Sequence, residues 1–248
     1  MEDLRREIED FIVAFAESED KLRLWRRPLV KFGDARRAEM QKIRFITHPA
    51  HAAPGDVLRG AATVICYFFP FRQEIAESNR EGEFSSPAWS EAYHTTNASF
   101  RVLNERLIAF LAEKGICAAV SPDAFAFDEE RCQSRWSQKS FAYLCGMGSF
   151  GVHHQLITEE GCCGRLGTVL MEAGLPVYDT PVGEEYCLYK RNGSCGVCVQ
   201  RCPVAALTEE SYDVFKCSDR CMENEKLYPG DAICGKCAVG VPCSFKKP

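Results

Sequence analysis

Nine of the chain's fifteen cysteines fall between Cys187 and Cys243, at spacings suited to holding metal. Cys195-Gly-Val-Cys198-Val-Gln-Arg-Cys202-Pro203 is a C-x2-C-x3-C-P run. Its C-x2-C step puts two thiolates on one tight loop, close enough for two corners of an iron–sulfur cubane. The x3 step turns the third thiolate toward a second cluster, and the proline keeps the chain from folding back as helix. Asn192 stands where a first cysteine would complete the run, and Cys187 lies five residues earlier. Further on come Cys217, a second C-x2-C at Cys234-Gly-Lys-Cys237, and Cys243 preceded by Pro242.

Paired crosswise, as in a two-cluster ferredoxin, these cysteines form two sets. Cys187, Cys195, Cys198 and Cys243 would hold one 4Fe-4S cluster. Cys202, Cys217, Cys234 and Cys237 would hold the other. Cys221 is left over and could exchange with Cys217. Two zinc ribbons would use both C-x2-C pairs but would not explain C-x3-C-P. The six upstream cysteines lack ligand spacing. Cys66 and Cys117 read as small core residues, Cys162 and Cys163 as packing beside a glycine turn, and Cys132 and Cys145 as neighbours of a glycine loop.

That loop, Gly146-Met-Gly148-Ser-Phe-Gly151-Val-His153-His154, has G-x-G-x-x-G spacing. A dinucleotide fingerprint must follow a strand and open a helix, whereas this one closes a helix. Its glycines would let backbone approach a flat cofactor, or simply make a turn. His153 and His154 point to opposite faces if extended, so they would not share one metal. Either could be a ligand or a proton donor.

The elements that must position these residues are legible in part. Leu4, Ile8, Phe11, Ile12 and Phe15 mark an amphipathic helix. Residues 61–69 read as a buried strand closed by Pro70, 72–98 as a polar surface excursion, and 99–114 as a second helix stopped at Gly115. A strand is expected at 117–120, a helix at 133–145 and a buried strand at 166–171. From Pro181 onward periodicity fades while Cys, Gly and Pro accumulate. Ligation would have to order that segment, which sets an expected domain boundary near residue 180.

With 248 residues, 46% of them apolar, and a net charge of −5, the chain can bury a core and shows no basic footprint for nucleic acid. No apolar run is long enough to span a bilayer, and the acidic amphipathic N-terminus is unlike a secretory signal. A cytoplasmic location is therefore expected, since thiols at this density without a signal point to clusters rather than disulfides.

The order helix, Gly146-Met-Gly148-Ser-Phe-Gly151, Leu156-Ile157-Thr158, Gly164-Arg-Leu-Gly167 and then the cysteine module resembles the epoxyqueuosine reductase family, which is related to reductive dehalogenases. The family pattern A-G-L-G-W-x-G-K-N shares the glycines; here Val152-His153 replaces its Lys-Asn pair. The resemblance covers residues 60–245. It implies an α+β protein: a nitroreductase-like α/β domain over 1–180, binding cobalamin, followed by a ferredoxin-like two-cluster domain over 181–248. Gly146, Gly148 and Gly151, with His153 and His154, would then line the cofactor. For the family's acidic proton donor Asp128 is the nearest aspartate, at a longer spacing from Gly146.

The expected function is an iron–sulfur oxidoreductase. Two clusters would pass single electrons from an external low-potential donor to a corrinoid or small substrate in the larger domain. A ferredoxin-type carrier with a docking domain is the alternative. The 180 upstream residues favour an enzyme, because a plain carrier has no use for them.

Overall fold

The computed structural model describes residues 2–230 and 232–248. In chain order it contains α1 (Glu2–Glu19), β1 (Leu29–Asp34), α2 (Ala38–Gln41), α3 (Pro54–Val57), β2 (Thr63–Pro70), α4 (Gln73–Ser78), α5 (Pro87–Glu113) and β3 (Ala118–Ala119). These are followed by β4 (Phe127–Asp128), β5 (Gln133–Ser134), α6 (Gln138–Leu144), β6 (Gly148–Phe150), β7 (Leu156–Thr158), β8 (Gly164–Met171), α7 (Leu188–Asn192), α8 (Val197–Gln200) and α9 (Val214–Glu225).

A four-stranded sheet in the order β1-β2-β8-β3 divides the molecule into layers. Its pairings are all antiparallel. Because β2 is buried along its whole length, both of its faces must be apolar, as its sequence requires. Ile65, Tyr67 and Phe69 join the core formed with Ile8, Ile12 and Phe15 of α1 and Phe100, Leu103 and Leu107 of α5. Val64, Cys66 and Phe68 face the opposite way and pack with Trp136, Phe141 and Ala142 around α6. Gly167 lies directly across from Tyr67, and a β-carbon there would strike the tyrosine ring. The glycine therefore makes room for the ring over its partner strand.

The expected excursion over 72–98 is instead α4 and the first three turns of α5. Ser86 caps α5 by accepting the Trp89 N–H at 3.1 Å, and Pro87 takes the first turn. The buried positions Trp89, Ala92, Thr96, Phe100, Leu103, Leu107 and Leu111 keep helical spacing throughout. Ala92 and Thr96 hide the stripe from a hydropathy reading. The Thr96 hydroxyl can be buried because it accepts the Trp25 indole N–H at 2.8 Å and donates to the Ala92 carbonyl at 2.6 Å. The helix expected over 133–145 is shorter. A two-strand hairpin, β4–β5, takes residues 133 and 134, and α6 begins after Ser137.

Residues beyond 180 also contribute to this core. Cys187, Cys198, Ala238, Val239 and Val241 belong to the same apolar cluster as α1, β2 and α5. α9, which the sequence did not suggest, is capped by the Asp213 carboxylate accepting the Lys216 N–H at 3.1 Å.

Candidate metal centres

Cys187, Cys195, Cys198 and Cys243 line one small cavity, walled by Val152, Leu188, Val241 and Pro242. Short turns bring them there from separate stretches of chain. Cys187 opens α7, and its amide donates to Glu185 Oε1 at 3.1 Å. Gly193 ends that helix with φ +75, a left-handed turn that favours glycine and returns the chain toward Cys195. Asn192, at the vacant position of the run, accepts the Ser194 N–H on its side chain and shapes the same turn. Cys198 sits inside α8. Cys243 is held by Ser244, whose hydroxyl accepts the Val241 N–H and donates to the Ala238 carbonyl. Burial pushes the Cys198 thiol up to about 11.

His153, offered by the glycine loop as a possible ligand, and Cys162, read only as packing, meet this set. His153 Nε2 is 3.3 Å from Cys243 Sγ, and His153, Cys162 and Cys243 present side-chain donor atoms within 4.8 Å of one another. The Cys162 amide also donates to the Cys243 carbonyl at 2.9 Å. Cys162 thus borders the candidate ligands and does more than pack a turn. Its contact spans 81 residues of sequence, beyond any local pattern.

The second set gathers around α9. Cys217 and Cys221, four residues apart, share one face of that helix, where their thiols act on each other. Cys234 and Cys237 lie close enough for their charges to act on Cys221, and Cys202 acts on Cys237. The neighbouring Cys221, against burial and helped by Tyr212 and the Lys139 charge, draws the Cys217 thiol below its ordinary value. The same contact and burial push Cys221 up. Cys202 follows two residues after α8 ends, its amide donating to the Val199 carbonyl at 3.2 Å, so the two sets are neighbours along the chain.

The glycine loop is dispersed. Gly146 lines a second cavity of about 580 Å³ with Arg5, Lys31, Tyr178, Asp179 and Tyr186. A β-carbon at Gly148 would strike the Ile157 carbonyl, and one at Gly151 would stand 2.5 Å from the His153 ring. Those two glycines serve close approach within the protein. His154, at φ +57, turns away from His153 and stacks on Tyr212 with ring centroids 4.5 Å apart. Gly146, Gly148, Gly151, His153 and His154 thus do not form one cofactor face.

Asp128 is engaged elsewhere. Its carboxylate is 2.9 Å from His48 Nε2 and accepts the Arg131 N–H, contacts that hold it below the usual carboxylate range. Cys66 and Cys145 are buried in the core, with sulfurs 3.4 Å apart. Cys132 donates to the Glu129 carbonyl in the β4–β5 turn. Cys117 is exposed.

No family model matches the sequence, and no curated protein does. Solved structures do match. An epoxyqueuosine reductase superimposes over 96% of this chain with a TM-score of 0.59 at 15% identity. The chain has the epoxyqueuosine reductase fold. The enzyme from Bacillus subtilis, in a state with its catalytic aspartate loop swung out of the active site, matches over 97% of the chain (TM-score 0.58, 14% identity). The enzyme from Streptococcus thermophilus matches over 96% (0.55, 15%). This chain spans about two thirds of the length of those epoxyqueuosine reductase structures, covering 66% to 67% of each. Among the described residues no helix is long and apolar enough to cross a membrane.

Proposed function

We propose that the chain is an iron–sulfur oxidoreductase that holds two 4Fe-4S clusters and delivers electrons to an acceptor in the 580 Å³ cavity. The convergence of Cys187, Cys195, Cys198 and Cys243 on one apolar-walled space carries this reading. Four thiols without a disulfide, shielded by Val152, Val241 and Pro242, suit a cubane in both chemistry and solvent exclusion. Bound there and at the second set, the clusters would supply one-electron relay from an external low-potential donor.

The chain's residues divide the remaining work. Tyr186 lines the large cavity and Cys187 the cysteine cavity, so adjacent residues border the acceptor and the first thiol set. Arg5 and Lys31 neutralise Asp179, at 2.7 and 3.8 Å, and leave mixed polar walls suited to a small polar acceptor. Each two-electron reduction would consume two electrons from the donor and two protons from solvent. Asp128, held as a carboxylate by His48, is not placed to supply them.

The residues expected to line cobalamin are spread over three surroundings, and the mixed polar walls of the 580 Å³ cavity favour a smaller acceptor. A small molecule is the better match. A tRNA substrate is disfavoured by the net charge of −5; one solved relative was crystallised with an epoxyqueuosine-modified tRNA stem loop. Thiols kept reduced in this number suit the cytoplasm. Anaerobic EPR of the reconstituted chain mixed with cob(II)alamin tests the acceptor. The expected result is both clusters present with an unperturbed cobalt signal. A shifted cobalt signal would overturn the small-molecule acceptor in favour of a corrinoid.

A further inference from the structure

We infer that His153 donates its Nε2 proton to the sulfur of Cys243 and so raises the reduction potential of the cluster held there. The inference rests on the cluster reading above and concerns a residue whose side chain is directed at one of the four thiols.

Two observations fix the direction of the hydrogen bond. The Gln155 backbone N–H donates to His153 Nδ1 at 3.1 Å, so that nitrogen is the acceptor and the ring proton sits on Nε2. Nε2 in turn stands 3.3 Å from Cys243 Sγ, a normal separation for an N–H···S bond. The imidazole is only 3% exposed, and it lines the same cavity as the four cysteines. Water therefore does not compete for the contact.

The loop is shaped to hold the ring in place. Gly151 has no side chain where a β-carbon would lie 2.5 Å from His153 Cε1. The next residue, His154, takes a left-handed φ of +57, which turns the chain so that the two imidazoles diverge. One face of the glycine motif thus becomes a seat for a histidine beside a ligand sulfur. Once Cys243 is an iron-bound thiolate, an N–H donor stabilises the reduced cluster, which carries one more negative charge, over the oxidised one. The potential rises accordingly.

The test uses the full chain, reconstituted anaerobically, with iron analysis, EPR-monitored redox titration and pulsed-EPR detection of exchangeable protons. His153→Leu should keep the wild-type iron content, shift one midpoint to a more negative potential and lose one exchangeable-proton coupling. His153→Gln, which can return an N–H to the same place, should recover part of the shift. Gly151→Ala keeps the imidazole but displaces it, and should reproduce the negative shift. Unchanged midpoints in His153→Leu at full iron content would overturn the inference and leave the cluster reading intact. Loss of about four irons in His153→Leu, not restored by Gln, would make His153 a ligand instead of a donor and would also overturn it. A wild-type chain that binds no cluster would remove the underlying reading together with the inference.

Discussion

The α-carbon of Gly235 rests against the indole of Trp89. Gly235 lies between Cys234 and Cys237 with φ +72, and a β-carbon there would stand 2.5 Å from the indole ring. The C-x2-C loop of the second set is thereby clamped onto α5. Asn79 adds a second clamp, donating to the Cys234 carbonyl at 2.9 Å. Backbone conformation and contact both demand glycine. Gly235→Ala should destabilise the metal-free protein by about 1–3 kcal/mol, read from denaturant melts, and should lower iron retention at the second set. Unchanged melts would mean that the loop is not clamped.

Single replacements should divide the cysteines into groups. Cys187→Ser and Cys237→Ser should each cost about half of the bound iron, because each removes a corner of a different cluster. Of Cys217 and Cys221, which share one face of α9, only one should do the same, because the second set has room for one of them. Cys66→Ala should leave iron content unchanged. Equal loss in Cys217→Ser and Cys221→Ser would contradict a set that takes only one of them.

Tyr67 spends its buried hydroxyl on Asn104 Oδ1, 2.6 Å away. Tyr67→Phe leaves that oxygen without its partner in the core between β2 and α5. The expected cost is about 1–3 kcal/mol in a urea melt. A neutral result would show that water reaches Asn104.

How far these features were legible in the sequence depended on their range. β2 announced itself through continuous burial on both faces, and the two C-x2-C pairs through spacing alone. The N-terminal half of α5 was not visible, because Ala92 and Thr96 carry its buried stripe without looking apolar. α9 was hidden by its charged surface. Nothing local marks Cys162 or His153 as neighbours of Cys243, since the histidine contact joins residues 90 apart. The glycines were visible as a motif. Their work, admitting a histidine ring at 151 and a carbonyl at 148, appears only in three dimensions.

His51 supplies a pH dependence outside the metal centres. Its ring is stacked on Trp136, donates from Nδ1 to the Ala52 carbonyl and accepts the Ser137 N–H on Nε2. Burial holds it below its ordinary value of 6.5, against the bond to the Ala52 carbonyl and the Asp123 charge, with Arg44 and His48 reinforcing burial. A base depressed in the folded state contributes stability that is fully present above 6.5 and is lost as pH falls through the folded value. The urea midpoint should therefore drop between pH 7 and pH 5, and His51→Gln should flatten that drop. An equally steep drop in the variant would place the sensitivity elsewhere.

The presence of two clusters is tested most directly by counting iron and acid-labile sulfide in the anaerobically reconstituted chain, with EPR of the reduced state. Two complete cysteine sets predict about eight irons and about eight sulfides per chain, with the magnetic interaction of two neighbouring paramagnets in the reduced spectrum. About four irons with a single isolated signal, or zinc without sulfide, would contradict the two-cluster assignment.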